Sequence, residues 1–166
     1  MPRLDPEGMV RSFFKVLPKM ATGEIDYTTA KTAVVVTVFV MHRQKVLIVK
    51  RSRKVSGYKG KWNAISGYVD EMRPISEIAL KEIKEEVRIN KSNVLKVSPG
   101  KVYSFRDSKE KMRWVVCPYL VETKRKPKIV LDWENTEYRW ISPNEISKFD
   151  IVPNLDRSLG NILKIA

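Results

Sequence analysis

Residues 32–41 and 45–51 are nearly unbroken runs of apolar, mostly β-branched side chains, separated by His42-Arg43-Gln44. Neither run approaches the roughly 20 apolar residues that a membrane helix needs, and their valine and isoleucine content favours strands over helices. They read as the two strands of a hairpin, both buried. Elements able to cover such a sheet are also legible. Asp5-Pro6-Glu7 is a helix start, and Met9, Phe13, Val16 and Leu17 follow at helical spacing before Pro18. A second helix is predicted from Pro74 to Arg88 and a third near 154–164. Residues 62–69, 94–105, 112–122, 128–131 and 136–141 are predicted to be extended. Strands interrupted by one strong helix and closed by another make an α/β fold, a mixed sheet packed between helices. At 166 residues the chain is one domain, expected as an N-terminal helical extension over 1–27 and a main domain over 28–166.

Charge and the rarer residues narrow the chemistry. Lys and Arg total 32 against 19 Asp and Glu, a formal charge of +13, which favours anionic partners such as nucleic acid or a polyphosphate. With one cysteine, Cys117, and one histidine, His42, neither an intrachain disulfide nor a Cys/His metal site can be assembled. Any metal is expected on oxygen ligands. The first residues mix Arg3, Asp5, Glu7 and Arg11 and lack the apolar core of a secretory signal, so a cytoplasmic, membrane-free protein is expected.

The helix from Pro74 carries the most informative pattern. At about 100° per residue, Ala79, Leu80, Ile83 and Val87 form one apolar stripe, while Glu77, Lys81, Lys84 and Arg88 form a charged face. Glu82, Glu85 and Glu86 share the edge between them. Like charges at these spacings repel, so something must compensate them, either nearby cations such as Lys81 or a bound Mg²⁺ or Mn²⁺, which prefer such carboxylates.

Upstream of these acids the chain reads Gly67, five residues, Arg73, seven residues, then Lys81-Glu82-Ile83-Lys84-Glu85-Glu86-Val87-Arg88-Ile89. This resembles the signature box of the Nudix family, matching it at Gly67, Glu82, Ile83, Glu85, Glu86 and Ile89. Three positions depart: Arg73 stands where the family has Glu, Lys81 where it has Arg, and Arg88 where it has Gly. The likeness continues outside the box in Val46 through Ser52, in Gly60-Lys61-Trp62-Asn63, and in Trp140-Ile141-Ser142-Pro143-Asn144-Glu145. It implies an α/β/α sandwich and hydrolysis of a pyrophosphate bond in a nucleoside diphosphate linked to another moiety. It also implies that Glu82, Glu85, Glu86 and the carbonyl of Gly67 hold Mg²⁺ or Mn²⁺, with Glu85 or Glu86 relaying the proton. The alternative is a non-catalytic nucleotide- or RNA-binding module.

The departures carry expectations of their own. Arg73 is placed at the cap of the helix, where a cation is unfavourable, and with Lys81 it loses the family's ion pair, leaving Asp70, Glu71 or Glu77 to neutralise the two cations. Arg88 is expected to alter the helix end rather than the chemistry. On the substrate side, Arg51 is the candidate phosphate clamp, Trp62 and Tyr68 are candidates to stack on a base, and Arg73 is a further contact at the mouth. Tyr58, Tyr103, Phe105, Trp114 and Trp133 are expected mostly in the core. Glu134 and Glu137 can reach the metal site from a late strand. The expected partner is a nucleotide-derived small molecule, with RNA on the basic surface and a second copy of the chain (a homodimer) as further candidates.

Overall fold

A computed structural model describes residues 3–164. Helix α1 (Pro6–Val16) is capped by Asp5, whose carboxylate accepts from the Gly8 amide at 3.0 Å. The predicted hairpin follows as β1 (Thr32–His42) and β2 (Lys45–Arg51). Next come the short β3 (Trp62–Asn63) and β4 (Ile65–Tyr68), helix α2 (Ile75–Val87), β5 (Val94–Pro99), β6 (Tyr103–Asp107), β7 (Met112–Thr123), β8 (Asn135–Ile141) and helix α3 (Leu155–Leu163).

All eight strands join one mixed sheet. Strand β1 runs parallel to β7 along nearly its whole length, from Thr32 beside Arg113 to Met41 beside Glu122. On its other side β1 pairs first with β4, through Val35 to Val38, and only at Met41 and His42 with β2. The sheet therefore divides along that edge, and the division leaves room for a site. Alternation along β1 sends Val34, Val36 and Val38 into a core closed by Val10 of α1 and Ile78, Ile83 and Val87 of α2. Phe39 of β1 and Ile48 of β2 join Leu155, Leu159 and Ile162 of α3 in a second core. The hairpin is buried on both faces, as its composition requires, and among the described residues no helix is long and apolar enough to cross a membrane.

Two extended segments differ from expectation. Residues 94–105 divide at Gly100, whose amide bonds to Pro118 O at 2.8 Å, so that β5 and β6 pair in succession with the one long β7. A Cβ on Gly100 would lie 3.0 Å from Ile162 of α3, so the crossing is as close as it is because no side chain intervenes. Residues 128–131 form no strand. Ile129 and Leu131 pack on the core, but Val130 N and Asp132 N donate to Val87 O and Glu86 O at 3.3 and 3.1 Å. The segment is thus tied to the last carbonyls of α2, which need partners outside the helix.

Candidate active site

Helix α2 carries its acids between two differently built ends. At the start, Pro74 and not Arg73 is the cap, and no side chain bonds there. Arg73 lies one residue earlier, with its guanidinium 3.2 Å from Glu71 and 3.5 Å from Glu77. The other Glu71 oxygen pairs with Lys81, which also stands 4.0 Å from Glu85. One acid, Glu71, thus pairs with both cations that replaced the family's pair, with Glu77 and Glu85 as further partners, and bonds from Lys81 and Arg73 pull the Glu71 carboxyl below the usual range. At the far end Arg88 takes the left-handed conformation (φ 61°), with its amide on Lys84 O and that of Ile89 on Ile83 O. That is the conformation for which glycine is favoured.

Between these ends the acids converge. Glu86 is 4% exposed. Its Oε1 accepts from Asn135 Nδ2 at 3.1 Å, and its Oε2 has no partner among the described residues. Carboxylate oxygens of Glu86, Asp132 and Glu134 lie within 4.8 Å of one another. Glu82 lies over Gly67, where a Cβ would sit 2.5 and 2.7 Å from its two oxygens. Burial pushes Glu82 up to about 8, reinforced by Glu85 and Glu134. Burial also holds Glu86 well above the usual carboxylate range, with Glu134 and Glu82 adding to the effect, and Glu134 and Asp132 are raised for the same first reason. Buried acids without cations to balance them are costly. An unpartnered oxygen amid hard oxygen donors is the environment that a Mg²⁺ or Mn²⁺ ion fits.

The convergence both matches and changes the expected set. Glu82, Glu86 and Gly67 come together; Glu85 is half exposed and faces Lys81. Glu134 joins the cluster, whereas Glu137 is held by Lys50 at 3.4 Å and Arg139 at 3.7 Å. Asp132 and Asn135 are additional to the expected set, brought in where the chain passes the end of α2 and Asp132 N bonds to Glu86 O.

A cavity of about 470 Å³ opens beside the acids and shares Gly67 and Glu134 with them. Arg51 lines it. Its Nε donates to Gly57 O at 2.9 Å, and its remaining guanidinium nitrogens make no hydrogen bond or ion pair within the described residues. Tyr68 lines it too, stacked on Tyr27 at 5.2 Å. Trp62 does not. It is 9% exposed in the α3-side core, edge-on to Phe149 at 5.3 Å, because its strand turns the ring away from the opening. Arg73 borders a separate groove against α1. Tyr58, Tyr103, Phe105, Trp114 and Trp133 line the cavity as well; Tyr103 is buried and Tyr58 and Trp114 also pack against the cores, as expected, whereas Trp133 is exposed.

Fold and site together define an α/β/α domain whose buried acids converge beside a cavity walled in part by aromatic rings. The NUDIX domain profile matches residues 30–160, and the chain belongs to the Nudix family of hydrolases. No curated protein sequence matches it. In structure it is similar to a MutT NUDIX hydrolase from Burkholderia pseudomallei (TM-score 0.66, 20% identity, 79% of this chain and 98% of that one). It is similar also to a NUDIX hydrolase from Nitrosomonas europaea (0.64, 18%, 79% and 88%). A third likeness is to the Escherichia coli dihydroneopterin triphosphate pyrophosphohydrolase (0.64, 17%, 82% and 97%). At these identities the likeness is one of fold.

Proposed function

We propose that the chain hydrolyses a pyrophosphate bond in a nucleoside diphosphate linked to another moiety, with Mg²⁺ or Mn²⁺ as cofactor. The observation that carries this reading is the buried, unpartnered Oε2 of Glu86 within the Glu86, Asp132 and Glu134 cluster. Glu82, Glu86 and Glu134 would hold the ion, with the carbonyl of Gly67 as backbone ligand, and Asp132 and Asn135 would position the acids. When bound, a divalent cation neutralises charge on the phosphoryl oxygens under attack and lowers the pKa of water.

The chain's own groups account for the remaining work. Arg51 has nitrogens free to grip a phosphate oxygen, and the Gly57 carbonyl keeps its guanidinium aimed into the cavity. One of Glu85 and Glu86 would take the proton from the attacking water, and of the two Glu85 is the one with access to solvent. Arg73, bound to Glu71 and Glu77 away from the cavity, holds the loop before α2 instead of contacting phosphate. Residues 28–166 are the hydrolase domain, and α1 braces the α2 side of its core.

Phosphate and nucleotide release from a panel of nucleoside diphosphate derivatives tests this reading. Turnover should require Mg²⁺ or Mn²⁺ and vanish in excess chelator. Turnover that persists in chelator would remove the metal from the mechanism. No turnover on any derivative, with tight RNA binding at physiological salt, would replace the hydrolase by a binding module that uses the +13 surface.

A further inference from the structure

Arg51 stands between the acids and the cavity because of an irregularity at the end of β2. The pairing of β2 with β8 shifts register after Lys50, so that Lys50 lies opposite Glu137 but Arg51 lies opposite Asn135. A bulge of this kind re-aims the side chain beside it. Ser52 N then bonds Glu134 O at 2.7 Å. Arg51 therefore sits beside the segment that brings Glu134 to the acids and lends Asn135 to Glu86. Among the described residues its guanidinium has one hydrogen bond, from Nε to Gly57 O at 2.9 Å. The arginine stem is long and flexible, so the place of that carbonyl decides where the remaining nitrogens point.

Gly57 belongs to a loop that is fastened at two places. At its base, Arg51 N donates to Lys61 O at 2.9 Å and Gly60 N to Arg51 O at 3.0 Å. Beyond that base, segment 53–60 makes hydrogen bonds to other elements, among the described residues, through one side chain. The Tyr58 hydroxyl donates to Asp107 and accepts from Trp114 Nε1 at 3.1 Å, and both partners belong to the β6–β7 hairpin. Asp107 is itself fixed, because its other oxygen accepts from Lys109 N and Glu110 N at 3.0 and 3.2 Å. Tyr58 holds a left-handed backbone (φ 53°), which is rare for a bulky residue and persists where its surroundings over-determine it. The carbonyl that aims Arg51 belongs to the residue just before it.

We propose that Tyr58 is a positioning residue for Arg51: fastened to Asp107 and Trp114, it holds the Gly57 carbonyl where it points the guanidinium at a phosphate group, and so sets phosphate affinity without bonding the phosphate itself. This rests on the reading of Arg51 as the phosphate clamp and adds the device that aims it. With the hydroxyl gone, the loop keeps its base but loses its tie to the hairpin. The Gly57 carbonyl then wanders, and the arginine spreads over several rotamers that must be frozen again when phosphate binds. The loss falls on phosphate binding only while an arginine is there to be aimed.

The test measures binding of inorganic pyrophosphate by calorimetry in metal-free buffer, on the full chain, Arg51→Ala, Tyr58→Phe and the double variant. Arg51→Ala should weaken binding about tenfold or more, since charge-assisted hydrogen bonds are lost. Tyr58→Phe keeps the ring and removes only the hydroxyl. It should weaken binding about fivefold when Arg51 is present and less than about 1.5-fold in the Arg51→Ala background. Trp114→Phe, which removes one donor to the same hydroxyl, should show the same dependence on Arg51 at about twofold and serves if Tyr58→Phe misfolds. A direct contact of Tyr58 with pyrophosphate, or a general loosening of the fold, would cost as much without Arg51 as with it, so equal losses in the two backgrounds would overturn the proposal. Unchanged affinity in both hydroxyl-tie variants, or no pyrophosphate binding that Arg51→Ala weakens, would overturn it too. No turnover enters this assay. If the coupling holds and no derivative is hydrolysed, the hydrolase reading fails alone; if metal-dependent hydrolysis occurs without the coupling, the positioning role fails alone.

Discussion

From the loop before α2 to its middle, Arg73 and Lys81 share Glu71, Arg73 also meets Glu77, and every one of these groups reaches solvent. On another edge toward the end of the same helix, Glu86 is 4% exposed with an oxygen that bonds to nothing in the described protein, and its carboxylate neighbours are Glu82, Asp132 and Glu134. The first arrangement is complete within the protein, and its job is to fasten the loop to the helix. The second leaves buried carboxylates with no positive partner among the described residues, which ordinary surface pairing does not do. The departures from the family pattern fall at the completed end and at the helix terminus, whereas the acids of the convergent end are intact.

Glu86→Gln gives the largest expected effect. Glutamine keeps the shape and the contact with Asn135 but removes the charge, so turnover should fall at least about a hundredfold, near ~2.7 kcal/mol of transition-state stabilisation. In metal-free buffer the same variant should unfold at an equal or higher urea concentration than the parent. A clear loss of stability instead would mean that Glu86 is paired in the metal-free protein, and the contrast between the two ends would disappear.

Gly67→Ala follows. The atoms nearest the added methyl are those of the Glu82 carboxylate, the end of a flexible side chain, so the fold should tolerate it. The displaced carboxylate should lower turnover by roughly tenfold and raise the Mg²⁺ requirement in proportion, given the effect of small misplacements on catalysis. Unchanged kinetics would show that Glu82 does not need its place over Gly67.

Glu82 also sharpens the comparison through pH. Its folded value near 8 lies above its ordinary 4.5. The metal-free fold therefore favours the neutral carboxyl, and this contribution to stability is full below about 4.5 and lost as pH rises through about 8. Glu82→Gln is neutral throughout, so its stability advantage over the parent should be small at pH 5 and widen by at least ~1 kcal/mol toward pH 8.5. Saturating Mg²⁺ should shrink that gap, because the ion favours the charged carboxylate. A gap independent of pH would show that Glu82 is not desolvated.

The convergent end was partly legible because helical periodicity places Glu82 and Glu86 on one edge without knowledge of the rest of the fold. Asp132 and Asn135 were not, because their approach depends on hydrogen bonds from residues 130 and 132 to the last carbonyls of α2, contacts that no local pattern encodes. The 128–131 segment misled for a related reason: Ile129 and Leu131 alternate like a strand, yet its backbone partners are helical carbonyls. The aromatic rings show the same limit. Trp62 and Trp114 look alike in sequence, and only the strand pairing turns one into the α3-side core and the other into the cavity.

Arg73→Glu should have the smallest effect, and its sign tests the completed end. Local reasoning favours the substitution, since an acid near a helix start suits the dipole. The ion pairs argue the reverse. Glutamate at 73 would lose two partners, face Glu71 and Glu77 as like charges, and leave Glu71 with Lys81 alone. Because Arg73 lies at the surface, salt and solvent weaken both effects, so the denaturant midpoint should fall only slightly and the fall should diminish in high salt. Turnover should stay within about threefold, less than ~0.7 kcal/mol in the barrier, because neither the acids nor Arg51 is touched. A rise in midpoint would mean that the helix dipole outweighs the Glu71 network, and a loss of turnover beyond tenfold without unfolding would return Arg73 to the substrate.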